Sequence, residues 1–179
     1  MKNKLVLSCL AALLAATATQ AAPVQLAVTP DLSLYGSTET INGLTLQIWG
    51  QNPQHALALG IANGSTGNSS GFSLALVLNY AENYKGVQWA PINRVQADMT
   101  GWQAGFINYT GGYLQGVQTG FLNYAGRLRG LQLGLINLAD AASSGLQIGL
   151  INVINQNTRW FSGLPDELAP AMVFVNWGF

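Results

Sequence analysis

Five stretches of this chain read alike: GVQWAPIN at 86–93, GWQAGFIN at 101–108, GVQTGFLN at 116–123, GLQLGLIN at 130–137 and GLQIGLIN at 145–152. Their starts lie 15, 15, 14 and 15 residues apart. A fixed short period of this kind is the mark of a repeat architecture. Weaker copies stand upstream, GFSLALVLN from Gly71 and ALALGIAN from Ala56. Gln88, Gln103, Gln118, Gln132 and Gln147 define the third position of the unit. Asn93, Asn108, Asn123, Asn137 and Asn152 define its last.

Within a unit the side chains sort by parity, as a β-strand requires. Leu131, Leu133 and Leu135 fall on one face, and Gly130, Gln132, Gly134 and Ile136 on the other. Glycine in every copy weakens any helical reading. Parity also places each repeat Asn on the apolar side, so in a barrel it must sit at the lipid headgroup level or a bulge must turn it inward. Between units, Thr110-Gly111-Gly112-Tyr113 and Ala125-Gly126-Arg127-Leu128 put glycine where a two-residue hairpin needs positive φ. Ala81-Glu82-Asn83-Tyr84 sits at the same phase. Further strands are expected near residues 24–35, 43–49, 55–62 and 71–80. Residues 63–70 read as a loop and 155–170 as a non-repeating connection. About ten strands result.

Hairpins reverse a chain, so this reading predicts an antiparallel meander closed as a small outer-membrane-type β-barrel. Apolar residues would face lipid, and Gln and Gly would line the lumen. Identical 15-residue units favour an alternative, a β-solenoid of parallel coils with Gln and Asn ladders and an aliphatic core.

The first residues are set apart from this body. Lys2 and Lys4 precede an apolar run from Leu5 to Ala16, and Thr19 and Ala21 stand at −3 and −1 of a cleavage site. The pattern predicts a signal peptide, residues 1–21, followed by one β-repeat domain, residues 22–179. Cys9, the only cysteine, lies within the apolar run rather than at its end, which disfavours lipid attachment. Without it the processed chain has no thiol for a disulfide, nucleophile or metal. It keeps five basic residues against seven acidic ones, a balance of −2. No basic patch is available for phosphates, so nucleic acid is not expected as a partner. Charged residues make up 8% of the chain, against roughly 25% in ordinary soluble domains.

Motifs for chemistry are sparse. Gly67-Asn68-Ser69-Ser70-Gly71 matches the G-x-S-x-G elbow, which would make Ser69 a hydrolase nucleophile. The elbow needs a strand before it, a helix after it and a downstream His. The one histidine, His55, lies upstream and offers no zinc site by itself. Asp166 and Glu167 are sequence neighbours and would point apart. The expectation is therefore no enzyme, no catalytic residue, no cofactor and no metal.

The chain ends Met172-Val173-Phe174-Val175-Asn176-Trp177-Gly178-Phe179. With Val173, Val175, Trp177 and Phe179 alternating, this resembles the closing strand of outer-membrane β-barrels, which the barrel-assembly machinery recognises. Residues 43–179 together resemble Gram-negative exported surface-repeat proteins built of GVQxGxxN units with a similar V-N-W-x-F tail. This resemblance implies export and a β-rich repeat body, and no activity; the closing-strand resemblance adds outer-membrane lipid and the barrel-assembly machinery as expected partners, and the role expected is structural or one of interaction. A secreted adhesin or matrix component is the alternative, with a serine hydrolase behind it. If the export reading is right, mass spectrometry of the processed protein will find Ala22 as its first residue.

Overall fold

The computed structural model describes residues 21–179. The stretch expected to be a signal peptide, residues 1–21 with Cys9, lies outside the described residues apart from Ala21. The described chain is all β. Its strands are β1 (Ala22–Ala27), β2 (Ile41–Asn52), β3 (His55–Trp89), β4 (Ile92–Val95), β5 (Met99–Ala104), β6 (Ile107–Ile154) and β7 (Ala171–Gly178). All pairings among β1 to β6 are parallel, and only β7 joins antiparallel, against β6. The 35-residue β3 and 48-residue β6 are far too long for straight strands in one small domain. They wind through successive coils, forming a β-solenoid of about 7 turns.

The expected antiparallel meander and barrel are thus overturned, and the solenoid alternative fits. Residues that a hairpin would set antiparallel instead pair in parallel with their equivalents one unit away: Ile92 with Ile107, Gly101 with Gly116, Gln103 with Gln118. The supposed hairpin turns at residues 110–113 and 125–128 are corners. Their glycines serve close stacking, because a Cβ on Gly126 would press on the Gly111 carbonyl and one on Gly111 on that of Gln96. Residues 63–70, read as a loop, are part of β3. Between residues 155 and 170 no strand forms, as the loss of the repeat implied.

Each full coil has three flat sides. In the coil around Gln103, side A is residues 102–104, side B is 107–110 and side C is 113–115. Side C leads into the next side A through the first glycine of the unit. That glycine adopts positive φ in five successive coils, from +124° to +144° at Gly71, Gly86, Gly101, Gly116 and Gly130. Each is packed on the carbonyl of its predecessor, so both conformation and space exclude a side chain.

The interior is not mainly aliphatic. Gln from side A and Asn from side B are fully buried in every regular coil. The apolar core fills only the corner between sides B and C, with Val95, Met99, Leu114, Leu128 and Ile154 its largest aliphatic members. Asn points inward although parity had placed it with the apolar face. The chain bends at Gly105-Phe106 and Gly120-Phe121, and each corner resets the alternation.

Both ends of the described coil stack are partly covered. At the start, residues 32–35 fold back over β1, with Leu34 N donating to Leu26 O at 2.8 Å. At the finish, β7 lies antiparallel on the last coil and Phe179 N donates to Asp166 O at 2.8 Å. These contacts shorten the free edge that could template end-to-end strand addition.

The glycine stack yields a stability prediction. Gly116→Ala adds strain at φ +144° and an overlap with the Gly101 carbonyl, and should cost at least ~2 kcal/mol. Gly36→Ala, at a position with open space around it, should change stability by less than about 0.5 kcal/mol. Urea unfolding of the two variants checks both values.

Candidate functional site

The repeat residues singled out in the sequence are brought together, as two continuous ladders through the interior. Gln103 Nε2 donates to Gln88 Oε1 at 3.0 Å, and Gln118, Gln132 and Gln147 each donate to the Gln of the preceding coil at 2.8 Å. The other ladder runs the opposite way. Asn79, Asn93 and Asn108 donate Nδ2 to the Asn of the following coil at 2.9 Å, and Asn123 and Asn137 at 2.8 Å. The amide dipoles of the two ladders therefore oppose each other and largely cancel along the solenoid.

From Gln103 in one ladder and Asn79 in the other, the amides also donate to the backbone. Corners leave carbonyls pointing inward, where an unpaired group is costly. Gln118, Gln132 and Gln147 donate across the interior to the carbonyls of Tyr124, Leu138 and Val153 at 3.0, 3.1 and 3.0 Å. Asn93, Asn108 and Asn123 donate to Ala104, Thr119 and Leu133 at 2.9, 2.9 and 3.0 Å. The longer Gln side chain spans from side A to side B. The shorter Asn reaches the nearby corner, which accounts for which amide stands where. The second glycine of the unit gives that Asn its room, since a Cβ on Gly120 would stand 2.6 Å from Asn108 Nδ2.

At the leading end the backbone of Tyr35 completes the pattern, accepting from Gln25 Nε2 at 2.8 Å and donating to Gln25 Oε1 at 3.0 Å. Asn52 Nδ2 donates to Gly36 O at 2.8 Å. At the other end Asn152 Nδ2 donates to Met172 O of β7 at 3.4 Å. Gln147 Oε1, last in its ladder, is the one buried side-chain polar atom without a partner among the described residues.

The exterior carries the apolar residues. Four neighbouring columns cross sides A and B: Leu57, Phe72, Val87, Trp102, Val117, Leu131; Leu74, Trp89, Ala104, Thr119, Leu133, Ile148; Leu76, Pro91, Phe106, Phe121, Leu135, Leu150; and Leu78, Ile92, Ile107, Leu122, Ile136, Ile151. Only Thr119 among them is a polar residue, and its Oγ1 accepts the Trp102 Nε1 proton at 2.9 Å. Phe106 and Phe121 stack at 4.8 Å between centroids. The third column stands at the corner between sides A and B and is the most outward, with Leu76 72% and Phe106 58% exposed. Sequence reasoning had found this apolar face but assigned it to one strand surface, because the corner that joins two sides leaves no mark in the parity.

Charge gathers elsewhere. Glu82, Lys85, Asp98, Arg127, Arg129 and Asp140 all lie on side C or at its corners. Arg127 donates to the Tyr113 hydroxyl at 2.7 Å. The Tyr124 hydroxyl, on side B, donates to Asp140 Oδ2 at 2.6 Å. That bond, with partial burial and the carboxylate charge, pushes the Tyr124 pKa up to about 12. Burial alone raises that of Tyr84.

The hydrolase motif is not assembled. Ser69 is buried inside β3, donating to Thr66 O at 2.8 Å and accepting from Gln54 N at 3.0 Å. No helix follows it. His55 Nδ1 instead lies 2.7 Å from the exposed Ser70 Oγ, and no carboxylate hydrogen-bonds this histidine among the described residues. Nor does any group of three His, Cys, Asp or Glu among them stand close enough to hold a metal ion. Asp166 and Glu167 border the loop before β7, where Glu167 lies 3.8 Å from Arg159. In β7, Val175 and Trp177 continue side A outward, opposite Ile148 and Leu146. Val173 and Phe179 are exposed, and Asn176 points inward. One edge of the strand pairs with β6, so in the folded chain it caps a coil rather than closing a barrel.

No family model, curated protein or solved structure matches this chain.

The ladders make interior amides irreplaceable. Asn108→Ala strands the Asn93 donor and the Asn123 acceptor, takes one of two donors from the Thr119 carbonyl, and should lower unfolding free energy by about 2–4 kcal/mol. Gln115→Ala, at an outward position of side C, should cost less than about 0.5 kcal/mol. Chemical denaturation distinguishes the two.

Proposed function

We propose that this chain is an exported β-solenoid held at the cell surface or outer membrane, with a structural or adhesive role and no covalent chemistry. One observation supports this above all. The buried amides are consumed by the interior ladders, while the outer surface offers an apolar face broken only by Thr119. Exposed apolar patches beyond a few hundred Å² mark contact sites. Nineteen of the residues in the four columns lie in the 15-residue units between Val87 and Ile151, so the repeat itself builds the face. A sequence that repeats Gln and Asn inside also repeats Leu, Ile and Phe outside, and the second pattern is not needed to satisfy the first.

Export supports the same reading from the other end of the chain. A leader of signal-peptide type precedes a body with no cysteine, which folds identically in oxidising and reducing compartments. The serine-hydrolase alternative has less behind it, given the burial of Ser69.

Cell fractionation combined with external protease tests the proposal. The processed chain is expected in the outer-membrane or medium fraction and, on intact cells, within reach of added protease. Retention of the full-length chain in the cytoplasm would overturn it.

A further inference from the structure

We infer that the solenoid lies on a lipid bilayer surface, wedging the corner between sides A and B into the acyl boundary, with its axis along the membrane plane. This rests on the surface-scaffold reading and names the partner of its apolar face.

The argument is one of layering. The corner column is aliphatic or Phe apart from Pro91, and both columns flanking it are apolar save Thr119. Further from the corner come aromatic residues with polar handles, Trp102 and Trp177 on side A, Tyr109 and Tyr124 on side B. These residue types collect at the interface between hydrocarbon and water. Arg94 shares the tyrosine column, where a long side chain can reach its charge to water. The charged groups Glu82, Lys85, Asp98, Arg127, Arg129 and Asp140 occupy side C, opposite the corner. Depth in the wedge thus orders the side chains as a bilayer interface does.

The backbone meets the same demand. Strands at the apolar sides have their N–H and C=O groups engaged by neighbouring coils, and inward corner carbonyls are bonded to ladder amides, so little unpaired backbone would enter the apolar layer. The indole N–H of Trp102 is likewise satisfied within the chain, by Thr119. The apolar column from Leu26 to Val175 comprises ten rows. At ~4.8 Å per row it runs about 43 Å, room for a line of several lipids.

A second copy is the competing occupant. A flat dimer through side A would leave the corner and side B exposed, whereas a bilayer takes both sides at once. Basic residues are few and, apart from Arg94, sit away from the wedge, so attraction to anionic headgroups is not the driving force. Binding is therefore expected on neutral lipid and in high salt.

The test is co-flotation of the processed chain, residues 22–179, with phosphatidylcholine vesicles. Binding should persist from about 0.1 M to about 1 M salt, and brominated acyl chains should quench the tryptophan fluorescence. Leu76→Glu with Phe121→Glu, two outward positions of the corner column, should weaken flotation at least about tenfold. Far-UV circular dichroism of that variant should still show β structure. Arg127→Gln with Arg129→Gln on side C should float like the parent. Three results would overturn the inference: no flotation of a folded chain, flotation only with anionic lipid and lost in salt, or a dimer in ultracentrifugation that the corner variant dissolves while vesicles stay unbound. A chain that is exported yet ignores lipid defeats this inference and leaves the surface-scaffold proposal standing. Cytoplasmic retention defeats that proposal independently.

Discussion

Buried primary amides hold this structure together. A three-sided coil must turn a corner about every five residues, and at a corner some carbonyls cannot join the strand ladder. Left inside without donors, each would cost about 1–3 kcal/mol. Gln and Asn each bring two N–H groups and one carbonyl, which is enough to bond the next coil and still supply a backbone carbonyl. The Gln ladder from Gln103 onward and the Asn ladder do both, and opposing directions keep their dipoles from adding. Polar networks of this kind are sound only when every member is paired. Among the described residues the single lapse is at the end of one ladder, Gln147 Oε1.

From that constraint the rest follows. With amides occupying the interior, the coil has little space for aliphatic side chains, and those that remain inside crowd the corner between sides B and C. The bulk of the Leu, Ile, Val and Phe content is then displaced to the outside, where in a soluble domain polar residues would stand. Glycine takes the two positions at which the coils approach most closely. One packs on the preceding coil's carbonyl at positive φ, and the other makes room for an Asn amide. The low charge of the sequence and its high glycine content are two consequences of a single cross-section.

An outward apolar face has to be covered by something, and the distribution of charge narrows what that can be. Side C is the one side that carries a set of ionised groups, and it is bordered by tyrosines and tryptophans before the aliphatic corner begins. The surface of the solenoid is therefore better described as a wedge with one wet side than as a rod with equivalent sides.

The sequence by itself determined the repeat, its period, the strand conformation and the separation of Gln and Gly from the bulky apolar residues. Each of these is local: parity along a strand and recurrence along a chain need no knowledge of what lies beside them. It also marked Gln88 through Asn152 as the residues that define the unit, and these are the ladder members. What it could not decide was whether neighbouring units run parallel or antiparallel, because Gly111-Gly112 and Gly126 suit a tight reversal and a tight corner equally well. Only the tertiary structure chose, through contacts between residues 14 or 15 apart that no single unit contains. The same contacts turned Asn inward against its parity and joined two sides into one apolar wedge. A corner changes where a side chain points without changing the residues that precede it.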